Sequence, residues 1–242
     1  MNSQPGTPSI LITCEHGGND VPPDYAAWFA GHEELLETHR GYDPGTLTLS
    51  RELAKGLGAK FFYSTVTRLL VDLNRCPTSR SLLSEVTRDR TREEREDLLK
   101  GYYHPYRREV RDWIGQEIEA GRQVLHLGIH SFTPELHGKI RRADLGLLYN
   151  AAHPLEKKFC DQWHPALAQL LPTATIRRNY PYLGTSDGHT TTLRNHFPAD
   201  RYAGIELEVN QKWMTQEPRP PVVTQILPSL QAVIASAERT PS

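Results

Sequence analysis

Residues 10–22 read Ile10-Leu11-Ile12-Thr13-Cys14-Glu15-His16-Gly17-Gly18-Asn19-Asp20-Val21-Pro22. An apolar run that breaks into a polar, glycine-rich turn predicts a buried strand ending at the carboxyl edge of an α/β sheet, where open sheets bind their ligands. The two glycines would let the backbone turn away and leave the imidazole of His16 uncovered. A histidine in that position suits a metal or a proton transfer. The alternative is a tight turn in which His16 is incidental.

The composition predicts one α/β domain over residues 1–242, with room for a large buried core. Lys plus Arg total 28 against 29 for Asp plus Glu, a net charge of -1, so no global field would recruit nucleic acid or an acidic membrane. No apolar run approaches ~20 residues, and the first residues lack the pattern of an export signal. The three cysteines are few and far apart, as in a reduced protein. We therefore expect a cytoplasmic protein that binds neither nucleic acid nor membrane.

Strand-like and helix-like runs alternate along the chain. Beyond the first strand, strands are predicted at 61–63, 69–73, 123–129, 145–149 and 203–209, and helices at 43–57, 92–120 with a break near Pro105, 155–171 and 222–237. Helices interleaved between strands predict a three-layer α/β/α sandwich with a central sheet.

Two histidines lie in the predicted strand that ends in Ile129-His130-Ser131. At about 3.3 Å per residue, His126 and His130 would be roughly 13 Å apart, too far to share one metal ion. His130 is at the exit of the strand, where Ser131 begins a loop, and is therefore the candidate ligand. We interpret His126 as a core or surface residue.

A third motif is Arg68-Leu69-Leu70-Val71-Asp72-Leu73-Asn74-Arg75. Asp72 and Asn74 alternate with apolar neighbours, which predicts a strand, and Arg75 follows at its end. A guanidinium beside an amide suits the binding of a carboxylate through bidentate, charge-assisted hydrogen bonds. The alternative is a surface Asp–Arg pair that closes a turn.

Two acidic side chains alternate with apolar residues in Ile205-Glu206-Leu207-Glu208-Val209-Asn210. Period-two alternation places Glu206 and Glu208 on one face of a strand. On an edge strand this would be an exposed, solvated face. In a central strand the two carboxylates would repel each other, and one would have the raised pKa that a general base needs.

Asp43 lies in Gly41-Tyr42-Asp43-Pro44-Gly45-Thr46, directly before a predicted helix. Aspartate is a preferred N-cap residue and Pro44 suits the first helical position, so a capping role is one interpretation. The other interpretation, a metal ligand, depends on a family resemblance.

Taken together, these motifs resemble the N-formylglutamate amidohydrolase family over most of the chain. In order, they are His16-Gly17-Gly18 with Val21-Pro22, Asp43 with Gly45-Thr46, Asp72-Leu73-Asn74-Arg75, Tyr103-His104-Pro105-Tyr106, His130-Ser131-Phe132, Pro181-Tyr182-Leu183-Gly184 and Glu208-Val209-Asn210. That family is distantly similar to zinc carboxypeptidases and aspartoacylase. The resemblance implies a zinc-exopeptidase-like fold, a mixed β-sheet between helices, with zinc at the carboxyl edge.

The resemblance also implies an activity, the zinc-dependent hydrolysis of a linear amide that releases formate or another small acid from an N-acyl amino acid such as N-formylglutamate. It places His16, Asp43 and His130 on the zinc, Asn74 and Arg75 with help from Arg68 on the substrate carboxylate, and Glu208 as general base with Glu206 as the other candidate. Different functions stay open on the same fold, namely an aspartoacylase-like deacylase, a small peptidase or a non-catalytic small-molecule binder.

Two positions depart from the related patterns. Zinc carboxypeptidases have a glutamate three residues after their first histidine, where this chain has Asn19, so Asp43 becomes the candidate for the acidic ligand. Members of the family often have an aspartate two residues before the second histidine, where this chain has Gly128. A carboxylate that would orient His130 is therefore expected to be missing.

Overall fold

The structure, a computed structural model, describes residues 8–238 and is built around one six-stranded sheet. Its strands are β1 (Ser9–Cys14), β2 (Lys60–Tyr63), β3 (Val124–Phe132), β4 (Glu135–Leu136), β5 (Lys139–Ile140), β6 (Leu145–Leu148), β7 (Ile176–Arg178) and β8 (Tyr202–Asn210). Strands β4 and β5 pair only with each other, and the other six lie in the order β2-β1-β3-β8-β6-β7. Their pairings are parallel except for the antiparallel pair β6–β8. The sheet is therefore mixed, as the resemblance implied.

Helices cover both faces of the sheet. They are a 3-10 helix (Pro23–Phe29), α1 (Glu33–Leu36), α2 (Thr46–Leu57), α3 (Arg92–Leu98), a π-helical turn (Leu99–Tyr103), α4 (His104–Glu119), α5 (Pro154–Leu170), α6 (His189–Arg194), α7 (Gln211–Met214), α8 (Pro221–Thr224) and α9 (Ile226–Glu238). Helices α2, α5 and α9 pack on one face, and α4 and α6 pack on the other. The predicted α/β/α sandwich is confirmed. Within residues 8–238, no helix has the length and hydropathy of a membrane span.

The two central strands, β3 and β8, separate an apolar from a polar face. Ile129 and Leu207 face the core beneath α2, α5 and α9. The alternate positions place His130 opposite Glu208 in the parallel register. Because β8 lies between β3 and β6, the edge-strand interpretation of Glu206 and Glu208 is wrong.

Three predicted elements differ from the structure. Residues 69–73 form no strand; they are a buried loop of turns whose apolar side chains pack against Phe29, Leu98 and Tyr103 instead of joining the sheet. The helical segment 92–120 does not break at Pro105; a π-helical turn precedes this proline, which is tolerated in the first turn of α4. The last predicted helix is divided into α8 and α9. The prediction of a single domain stays a prediction.

Candidate metal centre and active site

The glycines after β1 hold the loop that carries His16 against a neighbouring segment. The amide of Gly17 donates to the carbonyl of Ser64 at 3.0 Å. A Cβ on Gly18 would lie 2.6 Å from the carbonyl oxygen of Thr65, so no larger residue fits there without a shift. His16 itself is only 2% exposed. The two glycines thus allow close packing, and the expectation that they leave the imidazole uncovered is wrong.

Three buried side chains meet at the carboxyl edge of the sheet. His16, Asp43 and His130 each offer one ligand atom, and these atoms lie within 4.8 Å of one another. The Oδ2 atom of Asp43 is 3.4 Å from Nδ1 of His16 and 3.1 Å from Nδ1 of His130. Two imidazole nitrogens and one carboxylate oxygen are a ligand set found at catalytic zinc sites, which keep another position open. The residues can therefore hold a divalent metal.

Asp43 is free for this cluster because it does not cap α2 with its side chain. The N-cap residue is Gly45, whose φ of 78° lies in the left-handed region. The main-chain carbonyl of Asp43, not its carboxylate, accepts hydrogen bonds from the amide and hydroxyl of Thr46. Its amide donates to the carbonyl of His16 at 2.9 Å, which fixes the two loops together. The N-cap interpretation of Asp43 is wrong.

The far side of His16 contacts a second carboxylate. Its Nε2 lies 2.7 Å from Oδ1 of Asp72, and the guanidinium of Arg68 donates to Oδ2 of Asp72 at 2.6 Å. Burial raises the pKa of Asp72, but Arg68 and His16 outweigh burial and hold this pKa well below its ordinary value. The Asp72 carboxylate fixes the ring so that Nδ1 of His16 faces Asp43.

Arg68 lies between two carboxylates of the centre. Besides its bond to Asp72, its other terminal nitrogen is 3.5 Å from Oδ1 of Asp43. Burial lowers the pKa of Arg68, but the charges of Asp72 and Asp43 outweigh burial and hold this pKa above its ordinary value. The guanidinium therefore neutralises acids of the cluster, and much of its hydrogen-bonding capacity is already used.

His130 also has a carboxylate behind it. Its Nε2 is 3.8 Å from Oε2 of Glu15 and 3.4 Å from the amide nitrogen of Asn74. A Cβ on Gly128 would lie 3.6 Å from the same Nε2. An aspartate at position 128, the residue expected from the family resemblance, would therefore reach His130 from β3. In this chain Glu15, directly after β1, is the carboxylate nearest this nitrogen, and it lies beyond hydrogen-bond distance. The expectation that an orienting carboxylate is missing stays a prediction.

The acids outnumber the cations at this edge of the sheet. Burial lowers the pKa of His130, but its hydrogen bond to Asp43 and the nearby carboxylates raise that pKa to about 10. Four carboxyl groups are buried here, those of Glu15, Asp43, Asp72 and Glu208. The main guanidinium that lies among them belongs to Arg68. An excess of buried negative charge favours the binding of a cation.

Glu208 differs from Glu206 in its surroundings. It is 5% exposed, and its Oε2 atom is buried without a hydrogen-bond partner in the described part of the chain. Burial raises the pKa of Glu208 to about 8. Glu206 is less buried, and its Oε1 accepts a hydrogen bond from the hydroxyl of Thr190 at 3.1 Å. Of the two, Glu208 is the carboxyl group poised to exchange a proton near neutral pH.

The predicted carboxylate-binding pair lies next to the cluster. The amide oxygen of Asn74 accepts from the backbone of His189 at 2.7 Å, which turns its nitrogen toward His130. Arg75 donates to the carbonyl of Asp187 at 2.9 Å, and its Nε lies 3.6 Å from Asp72. This Nε has no hydrogen-bond partner among residues 8–238. The pair therefore keeps donors available beside the metal candidates.

The structure adds two residues that the sequence analysis did not select. Glu15 faces His130, and Nδ1 of His189 lies 3.0 Å from the other oxygen of Glu15. Glu15 was visible within the first motif, directly before His16. His189 follows Ser186-Asp187-Gly188 in a segment that the sequence predicts to be a loop. Its role depends on its burial at the start of α6, which the sequence does not show.

His126 is a core residue, as predicted. Its Nε2 is 2.8 Å from the hydroxyl of Thr13, and its Nδ1 is 2.7 Å from the hydroxyl of Tyr202. Burial lowers the pKa of His126 to about 3, so the ring is neutral. With both nitrogens engaged, His126 has none left for the metal candidates.

Fold and site together define an α/β-sandwich protein with a buried His–Asp–His cluster at the carboxyl edge of its sheet. The model of one protein family, N-formylglutamate amidohydrolase, matches residues 8–214. The chain belongs to this family, which supports amidohydrolase activity.

Two solved structures share the fold of this chain. The Agrobacterium tumefaciens gene product Atu2144 is 27% identical, with a TM-score of 0.79 over 96% of this chain and 90% of that one. The N-formylglutamate amidohydrolase from Ralstonia eutropha JMP134 is 19% identical, with a TM-score of 0.67 over 96% of this chain and 93% of that one. The latter likeness shows the fold. No curated protein sequence matches the chain.

Proposed function

We propose that this chain is a zinc-dependent amidohydrolase that removes the formyl group, or another small acyl group, from an acidic amino acid such as glutamate. Family membership supports the reaction class. The observation that carries the proposal is the register of β3 and β8, which sets the unpartnered carboxyl of Glu208 beside His130. A proton-exchanging group next to a cluster of metal ligands is the arrangement that hydrolysis of an amide requires.

The ligand set fits zinc. His16, Asp43 and His130 would hold the ion, whose Lewis acidity toward an amide carbonyl and toward water is the chemistry it supplies. Asp72 hydrogen-bonds to His16 and directs Nδ1 of that ring toward Asp43, and the charge of Glu15 lies 3.8 Å behind His130. Such carboxylates fix ring orientation and increase the basicity of the ligand.

Glu208 serves as the general base and then as the general acid. Its pKa of about 8 means that both protonation states are accessible near neutral pH. The ionised form takes a proton from the attacking water, and the protonated form returns it to the nitrogen of the leaving amino acid. The side chain has no hydrogen-bond partner in residues 8–238 that would compete for this proton.

Arg75 and Asn74 hold the carboxylate of the substrate. The guanidinium of Arg75 is a planar fork whose buried Nε lies 3.6 Å from Asp72, and the amide group of Asn74 is oriented by its bond to the backbone of His189. Both groups lie beside the cluster, where they would place the acyl amide near Glu208. Arg68 contributes through Asp43 and Asp72, whose charges it balances.

The test combines metal analysis with a substrate panel. The purified protein is assayed with N-formyl-L-glutamate, N-acetyl-L-aspartate and a dipeptide, before chelation, after chelation and after zinc is restored. We expect one zinc per chain, preferred cleavage of the formyl substrate, and loss and recovery of activity with the metal. Preferred cleavage of N-acetyl-L-aspartate or of the dipeptide would replace the proposed substrate. A protein that binds no divalent metal and cleaves nothing would favour a non-catalytic binder.

A further inference from the structure

A cavity lies beside the candidate active site, and none of the metal candidates lines it. It has a volume of about 570 Å³ and lies between α4 and α6. Its basic lining residues are His104, Arg107, Arg108, Arg111, His189 and His196. Within the described residues, no aspartate or glutamate lines it. Pockets for small ligands have volumes of roughly 300–1,000 Å³, so this cavity has the size of a ligand site.

The basic side chains come from one face of α4. His104, Arg107, Arg108 and Arg111 follow the spacing i, i+3, i+4, i+7, which aligns four residues along a helix. Like charges at i and i+4 destabilise an isolated helix by a few tenths of a kcal/mol, roughly 0.2–0.5 kcal/mol per pair. A bound anion would remove that cost.

The arginines are incompletely paired. Arg108 has no ion pair or hydrogen bond within residues 8–238. Arg107 donates to the carbonyl of Leu73 and lies over the ring of Tyr103. Arg111 contacts only its neighbour Asp112. The three guanidinium groups therefore retain donors for an incoming anion.

His189 provides a separate indication of a ligand. This residue is 1% exposed and lies in the wall of the cavity, and its Nε2 is buried without a hydrogen-bond partner among residues 8–238. Because Nδ1 donates to the carboxylate of Glu15, Nε2 of the neutral ring is a hydrogen-bond acceptor, and the partner that it lacks is a donor group such as the hydroxyl of a monohydrogen phosphate. The other ring nitrogen lies against Glu15, and its backbone amide binds Asn74. An occupant of the cavity would therefore contact a residue that also touches the candidate active site.

We propose that this cavity binds a small dianion that carries carboxylate or phosphate groups, at a site separate from the metal centre. Arginine forks match both groups through paired, charge-assisted hydrogen bonds. Arg108 and Arg111 are neighbours at i and i+3 on the surface of α4, so one dianion can engage both guanidinium groups and match their two charges. The proposal concerns binding and does not depend on the hydrolytic activity.

The test is calorimetric titration of the purified protein with succinate, with inorganic phosphate and with formate, at constant ionic strength and neutral pH. We expect at least one of the two dianions to bind, and formate, a monoanion, to bind about tenfold more weakly or not at all. Succinate binding alone identifies a dicarboxylate site, and phosphate binding alone a phosphate site. If neither dianion binds, or if formate binds equally well, the proposal is wrong.

Three variants locate the binding. R108Q/R111Q should weaken dianion binding by about tenfold or more, because it removes two charge-assisted contacts. K158Q removes an exposed positive charge from α5, on the opposite face of the sheet, and should leave binding unchanged. D43N alters the metal centre and should also leave dianion binding unchanged.

Dianion binding that survives R108Q/R111Q, or that is lost in D43N, would place the anion elsewhere. An inactive protein that still binds the dianion through Arg108 and Arg111 would contradict the proposed hydrolase and not this site.

Discussion

The carboxylate of Glu15 lies between two histidines, 3.8 Å from Nε2 of His130 and 3.0 Å from Nδ1 of His189. Burial raises the pKa of Glu15, but the hydrogen bond and charge of His189 outweigh burial and lower this pKa below its ordinary value. An ionised carboxylate only accepts hydrogen bonds. The negative charge of Glu15 adds to the effect of the hydrogen bond from His130 to Asp43, and together they raise the pKa of His130.

Glu15→Gln should weaken metal binding because the neutral amide removes a negative charge that makes the imidazole of His130 more basic. We expect an affinity loss of roughly 10- to 100-fold, the range for groups that orient a ligand. Competition with a chelator measures it. Glu117→Gln is the matched control, since Glu117 is a partly buried glutamate bonded to Arg122 and Ser9 at the start of β1. Equal zinc affinity in both variants would show that Glu15 does not orient His130.

His130→Ala and His126→Ala should have opposite effects. His130→Ala removes one of three candidate ligands and should abolish stoichiometric zinc. His126→Ala should keep zinc but lower the free energy of unfolding by about 1–3 kcal/mol, because Thr13 and Tyr202 lose their buried hydrogen-bond partner. Elemental analysis and denaturant unfolding separate the two outcomes. Loss of zinc in a folded His126→Ala protein would contradict this assignment.

Periodicity predicted the part of the site that lies on strands. In β8, alternation alone set Glu206 and Glu208 on one face, and in β3 the rise of a strand separated His126 from His130, because strand geometry is regular. The same pattern failed at residues 69–73, where the apolar side chains fill clusters outside the sheet and alternation arises from turns. A short apolar run does not reveal whether a neighbouring strand will pair with it.

The loops of the site could be predicted only in part. Asp43 and His16 come together because the amide of one binds the carbonyl of the other, a contact between residues 27 positions apart. No local pattern encodes such a contact, and the family resemblance alone connected them. Glu15 and His189 are 174 positions apart, and both their burial and their pairing depend on the packing of α6 against β8.

Arg75→Lys should lower kcat/KM by about tenfold or more while zinc is retained. Lysine keeps the charge but loses the planar fork, and it cannot bind a carboxylate and the carbonyl of Asp187 together. Steady-state kinetics with N-formyl-L-glutamate and zinc analysis test this. Arg95→Lys is the control, because Arg95 also donates to a main-chain carbonyl, that of Arg88, on the surface. An unchanged kcat/KM for Arg75→Lys would remove Arg75 from substrate binding.

Glu208 should make the stability of the metal-free protein depend on pH. The folded pKa of Glu208 is about 8, above the ordinary value of 4.5, so between these values the folded state binds more protons than the unfolded state. The stabilising contribution is complete below about pH 4.5 and is lost as the pH rises through about 8. Glu208→Gln lacks this titration, so its melting temperature relative to wild type should increase from pH 5 to about pH 8. A difference that stays constant with pH would contradict the raised pKa.

Glu208→Gln should also separate the general base from the metal ligands. The variant should retain zinc and fold normally, and its kcat should fall by roughly 10²- to 10⁴-fold, the range for a positioned acid–base group. Glu206→Gln is the matched control on the same strand face, two residues earlier, where the carboxylate already bonds to Thr190. We expect it to lose much less activity. If Glu206→Gln is instead the inactive, zinc-replete variant, the general base is Glu206, and the unpartnered carboxyl of Glu208 has another role.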